Sequence, residues 1–170
     1  MLNILVQIKE CMVKLLEWIL ILLVAGLVLD VLWQVFSRFV LNDPSSWTDE
    51  LATLLIIWVA MIGASVAFIR NNHLGVDYFV GKLKPRPRLI SEILVQGLIC
   101  LFAVTVILLG GAKLVTLTLL TEQVSPALLV KMGHVYMALP LSGLVIALTS
   151  IETAIKKIGA LNQVPREVSE

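Results

Sequence analysis

Reactive side chains are scarce in this 170-residue sequence, which has two cysteines, two histidines and 6% aromatic residues. Cys11 and Cys100 lie in different segments, with neither a CxxC pair nor a Cys/His cluster at zinc spacing. That argues against a redox relay or a structural metal and leaves two small apolar fillers as the simpler reading. A phosphate-cradling glycine loop is missing, as is any Ser/His/Asp or Cys/His arrangement, so enzymatic catalysis has no visible machinery. Charge is sparse too: 13 basic and 12 acidic side chains give a net +1, and nothing points to a nucleic-acid partner.

What remains is apolar. The chain is 59% hydrophobic with a mean hydropathy of +0.98, well above soluble domains. Apolar runs long enough to cross a bilayer predict an all-α membrane protein with four transmembrane helices, over about 15–40, 51–69, 90–113 and 133–152. They form one domain, 1–158, followed by a polar tail, 159–170. Within residues 1–14, Asn3, Gln7, Glu10 and Lys14 recur on one helical side, opposite Ile4, Leu5, Ile8, Cys11 and Met12. This pattern predicts a short amphipathic helix lying in the lipid interface. A secretory signal is rejected because no small-residue cleavage site follows and the apolar pattern runs on too far.

The first span carries a polar stripe, Asp30, Gln34 and Arg38, at four-residue intervals. An intramembrane carboxylate is either an ion or proton site or a hydrogen-bonded contact to a neighbouring helix; with no basic partner at its depth, contact is the first reading of Asp30. Asn42 to Ser46 form a turn, Thr48 or Ser46 is placed to cap the second helix, and Asp49 and Glu50 favour its positive end. In that helix Ala60, Gly63, Ala64 and Ala67 share a face on which another helix backbone can approach closely. Val76, Phe79, Val80 and Leu83 then predict a short surface helix stopped by Pro85 and Pro87. The last span holds Pro140 and Gly143, which membrane helices tolerate.

Basic residues set the orientation. Lys9, Lys14, Arg70, Lys82, Lys84, Arg86, Arg88, Lys156, Lys157 and Arg166 fall on one side, and Arg38, Lys113 and Lys131 on the other. The positive-inside rule puts both termini in the cytoplasm. His73 and His134 then lie at opposite faces, separated by roughly 30 Å of hydrocarbon, and cannot share a haem. His73 is read as a solvated imidazole paired with Asp77 one turn later.

The segments SRFVLNDPSSWTDEL (37–51), IWVAMIGASVAFIRNNHLGVD (57–77) and QVSPALLVKMGHVYMALPLSG (123–143) together resemble the DctQ/SiaQ-like small membrane subunit, the Q subunit, of tripartite ATP-independent periplasmic (TRAP) transporters. The ordered markers are Arg38, Trp47, Glu50, Trp58, Gly63, Ala64, Arg70, His73, Val76, Asp77, Ser125, Pro126, Tyr136 and Pro140. The resemblance implies a bacterial inner-membrane complex in which a periplasmic substrate-binding protein delivers an organic anion, a carboxylate such as a sialic acid or a C4-dicarboxylate. It implies a large multi-span membrane subunit as partner and sodium coupling in that subunit. The small subunit would act as a scaffold, binding neither substrate nor cofactor.

The residues fit that role, with small-residue faces and one buried acid. The alternative is an autonomous small four-helix proton-coupled transporter using Asp30. A membrane anchor for a redox enzyme is disfavoured by the histidine separation. The Trp47-x-x-Glu50 unit at headgroup depth further predicts a cation on Glu50, either Arg38 or one from the partner.

Overall fold

The computed structural model describes residues 2–43, 45–70 and 85–163. Nothing between residues 2 and 25 breaks a helix, since the first glycine is Gly26 and the first proline Pro44. Helix α1 accordingly runs unbroken over Leu2–Phe39, and no boundary separates residues 2–14 from the span that follows. The chain turns at Asn42, whose φ of 52° is one that asparagine tolerates. Helix α2, Ser46–Ile69, has Ser45 at its N-cap position, one residue before Ser46 and three before Thr48, the two predicted caps. The Ser45 side chain bonds to the Thr48 hydroxyl at 3.0 Å and makes no bond to the backbone of the helix.

Helix α3 is Pro85–Phe102. Pro85 and Pro87 open this helix where they were expected to stop another; in a first turn the missing N–H has no intrahelical acceptor to lose. A π-helical segment, Ala103–Gly110, leads into α4, Gly111–Leu120. The last crossing is split into α5, Met132–Tyr136, and α6, Ala138–Gln163. Pro140 accounts for the break, because it has no N–H to give to the carbonyl of Tyr136. Residues 159–163 of the predicted tail belong to α6. His73, Asp77 and the predicted surface helix lie outside the described residues.

Four stretches are long and apolar enough to cross a membrane: Met12–Phe39, Ser46–Ile69, Pro87–Leu120 and Met132–Leu161. An even number brings the start of α1 and the end of α6 to one end, the terminal end, and the connections after α1 and α4 to the other, the loop end. The helices do not close into a bundle. α1 makes its extensive contact with α2 alone, α2 packs on α6, and α6 packs on α3 and the π segment. The order across the molecule is therefore α1, α2, α6 and the third crossing, an open row with two broad apolar faces. Its core lies on the α6 side, where Phe68, Ala103, Ile146 and Ala147 are buried together against Ile99, Val104 and Ile107.

Two glycines make that side tight. A Cβ on Gly143 would stand 2.8 Å from the Leu108 backbone nitrogen, and one on Gly111 would stand 2.9 Å from the Leu139 Cβ. Both positions therefore need glycine for close approach. At Gly63 the same atom would meet only Leu20, at 3.7 Å, which is ordinary contact. The tightest helix contacts are thus not those of the α2 stripe.

Candidate partner interface

At the loop end the polar stripe of α1 faces the start of α2. The Gln34 side-chain amide donates to the Asp49 carboxylate. The Ser37 hydroxyl donates to the Gln34 carbonyl at 3.0 Å and lies 3.4 Å from the Ser45 hydroxyl. Ser37 and Thr48 are fully enclosed by this chain of hydroxyls. The Gln34–Asp49 and Leu20–Gly63 contacts keep one antiparallel register, which puts Asp30 opposite Thr53. Asp30 is 6% exposed, and neither carboxylate oxygen has a hydrogen-bond partner. The predicted contact to a neighbouring helix is therefore not made by any described side chain.

Glu50 has different partners from those expected. Its carboxylate accepts from the Ser125 hydroxyl and, at 3.0 Å each, from the backbone N–H groups of Ala127 and Leu128. Among the described residues no cation pairs with it, and Arg38 instead lies 6.0 Å from the centre of its neighbour's ring, Phe39. The internal option, a pair with Arg38, is therefore not formed within this chain: amides turned inward make a ready-made anion site, and the carboxylate is held by their N–H bonds.

The connection that supplies those amides is itself held in shape. Gln123 N–H donates to the Thr118 carbonyl and Glu122 N–H to that of Leu119, both at 3.2 Å, which ends α4 with Glu122 at a φ of 47°. Ser125 N–H to Val130 O and Met132 N–H to Gln123 O close the connection at 3.0 and 2.9 Å. Leu129 then stands at its tip with a φ of 53°, 77% exposed. Asp49, Glu50, Thr53 and Gln123 line an open groove of about 500 Å³ beneath it.

The terminal end is built from charge pairs. The Arg70 guanidinium reaches Glu17 through Nε at 2.8 Å and through a second nitrogen, tying α1 to the end of α2. Glu92 receives Arg88 from its own helix and Lys157 from α6, both at 3.0 Å. One turn along α3 from Glu92, the buried Ser150 hydroxyl of α6 donates to the Gln96 backbone carbonyl at 2.7 Å and lies 3.0 Å from its side-chain oxygen.

Of the remaining predicted residues, Trp47 is 41% exposed, Pro126 is exposed on the loop, and Trp58 and Tyr136 are half-buried. Pro140 packs on Gly111. Gly63 is half-buried against α1, whereas Ala60, Ala64 and Ala67 are open on the outer face of α2. Sequence reasoning missed the amides of Ala127 and Leu128, the Glu92–Lys157 link, and the work done by Gly111 and Gly143. Only Gly143 left a signal, as a lone glycine inside an apolar span. Among the described residues, no group of three or more His, Cys, Asp or Glu stands together as metal ligands.

Comparison with known proteins decides the family: residues 27–159 match the model of "Tripartite ATP-independent periplasmic transporters, DctQ component". The chain belongs to this family. Its relatives include the sialic acid TRAP transporter small permease protein SiaQ of Vibrio cholerae, 38% identical over 73 residues, 43% of this chain and 42% of the relative. The C4-dicarboxylate TRAP transporter small permease protein DctQ of Rhodobacter capsulatus is 28% identical over 108 residues, 64% of this chain and 47% of the relative. The sialic acid TRAP transporter permease protein SiaT of Haemophilus influenzae is 33% identical over 94 residues, 52% of this chain but 15% of that far longer relative. The chain thus spans less than half the length of each of these three. As a DctQ-component protein with four apolar crossings, it is a multi-pass protein of the bacterial inner membrane and a transporter component, not an enzyme.

Proposed function

We propose that this chain is the small scaffold subunit of a TRAP transporter, pairing along its row of helices with a large membrane subunit. The observation that carries the proposal is the open row itself: α2 packs inward on α1 and α6 while Ala60, Ala64 and Ala67 stay uncovered. Such a stripe lets a second helix approach at backbone distance. In this reading both termini face the cytoplasm, and the loop end, with its Glu50-held connection, faces the periplasm. The large subunit carries the sodium-driven step, and a periplasmic binding protein supplies the organic anion. Relatives are named for both sialic acid and C4-dicarboxylates, which supports a carboxylate substrate of the complex. An autonomous proton-coupled transporter using Asp30 is not favoured by family membership.

The test is co-purification with the large membrane subunit expressed beside it. Ala64→Leu should cut recovery of the complex several-fold while leaving the helix content of the isolated chain unchanged, and Ile56→Leu should have no effect. Equal recovery from both variants would remove the α2 stripe from the interface. Uptake of an organic anion by vesicles holding this chain alone would overturn the scaffold role.

A further inference from the structure

The α1–α2 seam encloses one polar group without a partner. Asp30 lies about 13 Å along α1 from its end at Phe39, well inside the ~30 Å hydrocarbon core, and it is 6% exposed with neither carboxylate oxygen hydrogen-bonded among the described residues. Arg38, two turns nearer the loop end, lies over Phe39, and Lys113 and Lys131 belong to the third crossing and its connection, with which α1 makes no extensive contact. The charged group that acts on Asp30 is Asp49 of α2, which has the same sign, while Glu50 is turned to the amides of Ala127 and Leu128. The neutral groups beside it have their donors engaged elsewhere. Gln34, one turn along the same face of α1, turns its amide nitrogen to Asp49, and the Thr53 hydroxyl, opposite across the seam, donates to the Asp49 backbone carbonyl at 2.9 Å. Each keeps a side-chain oxygen able to accept. An ionised carboxylate needs donors, whereas the acid form carries an O–H that either oxygen suits.

We propose that Asp30 is a proton-binding site, filled from the loop end, and that the neutral carboxyl it forms is what lets α1 lie on α2 at this depth. An unpaired charge in an apolar interior is costly enough that such a group neutralises instead. A hard divalent cation is a poorer occupant, since it asks for six or more oxygens and the seam offers the two of Asp30 with one each from Gln34 and Thr53. Filling the site converts a carboxylate and a hydronium ion into a carboxyl group and water. The proton has a way in from one side. Asp49 and Thr53 line the groove that opens at the loop end, so only the Gln34–Asp49 bridge separates Asp30 from solvent there. Toward the terminal end the next carboxylate of α1 is Glu17, about 20 Å away and tied to Arg70, and neither α1 nor α2 has a titratable side chain in between. The site is therefore a dead end, which holds a proton without passing it on. This inference does not depend on the scaffold reading, because every group named belongs to this chain.

Infrared spectroscopy reads the site directly. With the full chain in phosphatidylcholine nanodiscs at pH 7, the difference between the parent and Asp30→Asn should show the carbonyl band of a buried protonated carboxyl, shifted in deuterium oxide, and no carboxylate band. A hydrophobic carbodiimide, which reacts with protonated carboxyls in lipid, should modify Asp30 at least roughly fivefold faster than Asp43 at the loop end, as located by peptide mass spectrometry. This second measurement uses the parent chain and decides the matter should Asp30→Asn fail to fold by circular dichroism. Exchanging sodium for choline should change neither signal. A carboxylate band in the parent at pH 7 overturns the site, as does modification of Asp30 no faster than that of Asp43. A carboxyl band that gives way to carboxylate as sodium is raised would make this a sodium site and overturn it equally. Liposomes holding the chain should keep a pH gradient as long as empty ones, and a leak abolished by Asp30→Asn would overturn the dead end.

Discussion

The two halves of the row are made differently. On the α6 side, helices meet at glycine against backbone, with Gly143 over Leu108 and a core of Phe68, Ala103, Ile146 and Ala147. On the α1 side, contact is looser. Only 6% of the first crossing is buried, against 39% of the last, and α1 is joined to α2 chiefly through polar groups near its two ends. In lipid there is no hydrophobic gain from putting two apolar helices together, so close packing and hydrogen bonds must hold them. The α6 side uses both, whereas on the α1 side the glycine Gly63 makes only ordinary contact and the side-chain hydrogen bonds matter more.

Several substitutions sharpen or break this contrast. The largest loss should come from Gly143→Ala, whose methyl group meets backbone that cannot swing aside; about 1–3 kcal/mol is expected, read by denaturant unfolding in mixed micelles. A loss no greater than that of Gly63→Ala would end the distinction between tight and loose halves. Next comes Glu50→Gln, which replaces a charged acceptor by an amide that cannot satisfy two N–H groups and a hydroxyl equally and should loosen the connection locally. Faster hydrogen exchange at Ala127 and Leu128, with α1 unchanged, is the specific readout. Unaltered exchange at those two amides would mean that the connection keeps its shape without the acid.

Ser150→Ala should cost about 0.6 kcal/mol, the average found for hydrogen bonds between membrane helices, and should be felt only on the α6 side. Glu17→Gln removes an ion pair with Arg70, whose side chain is 56% exposed, and should cost less than ~1 kcal/mol, with the effect fading as salt is raised. At the bottom of the scale, Gly63→Ala should be neutral or gain up to about 1 kcal/mol from helix propensity, since its methyl finds ordinary contact with Leu20. A clear loss there would show that α1 and α2 sit closer than the structure has them.

Much of this architecture was legible in the sequence because hydropathy and turn chemistry are local. Asn42 and Ser45–Ser46 mark the first connection, and the apolar runs mark four crossings. What was illegible is tertiary. Gly63, Gly111 and Gly143 look alike in a string of apolar residues, and only the helix opposite makes two of them indispensable. Glu50 called for a cation because the sequence displays charged side chains and hides backbone amides, whose direction is set only by the folded connection. Pro85 and Pro87 have a role that the pattern did not single out, since they begin α3. The stripe of Asp30, Gln34 and Arg38 was read as one unit, but Gln34 bonds to Asp49, Arg38 lies against Phe39, and the Asp30 carboxylate has no hydrogen-bond partner among the described residues.

The open row has a consequence for sliding. Four rods side by side, with no outer pair joined, offer little resistance to one rod slipping along its neighbour, since apolar surface in lipid looks the same a turn higher or lower. Depth in the membrane is then set by a few pins: Gln34–Asp49 and Glu17–Arg70 between α1 and α2, and Lys157–Glu92 and Ser150–Gln96 between α6 and α3. The Glu50 contact levels α2 with the connection that leads into α5. These few polar contacts thereby fix the heights at which Ala60, Ala64 and Ala67 stand on the open face.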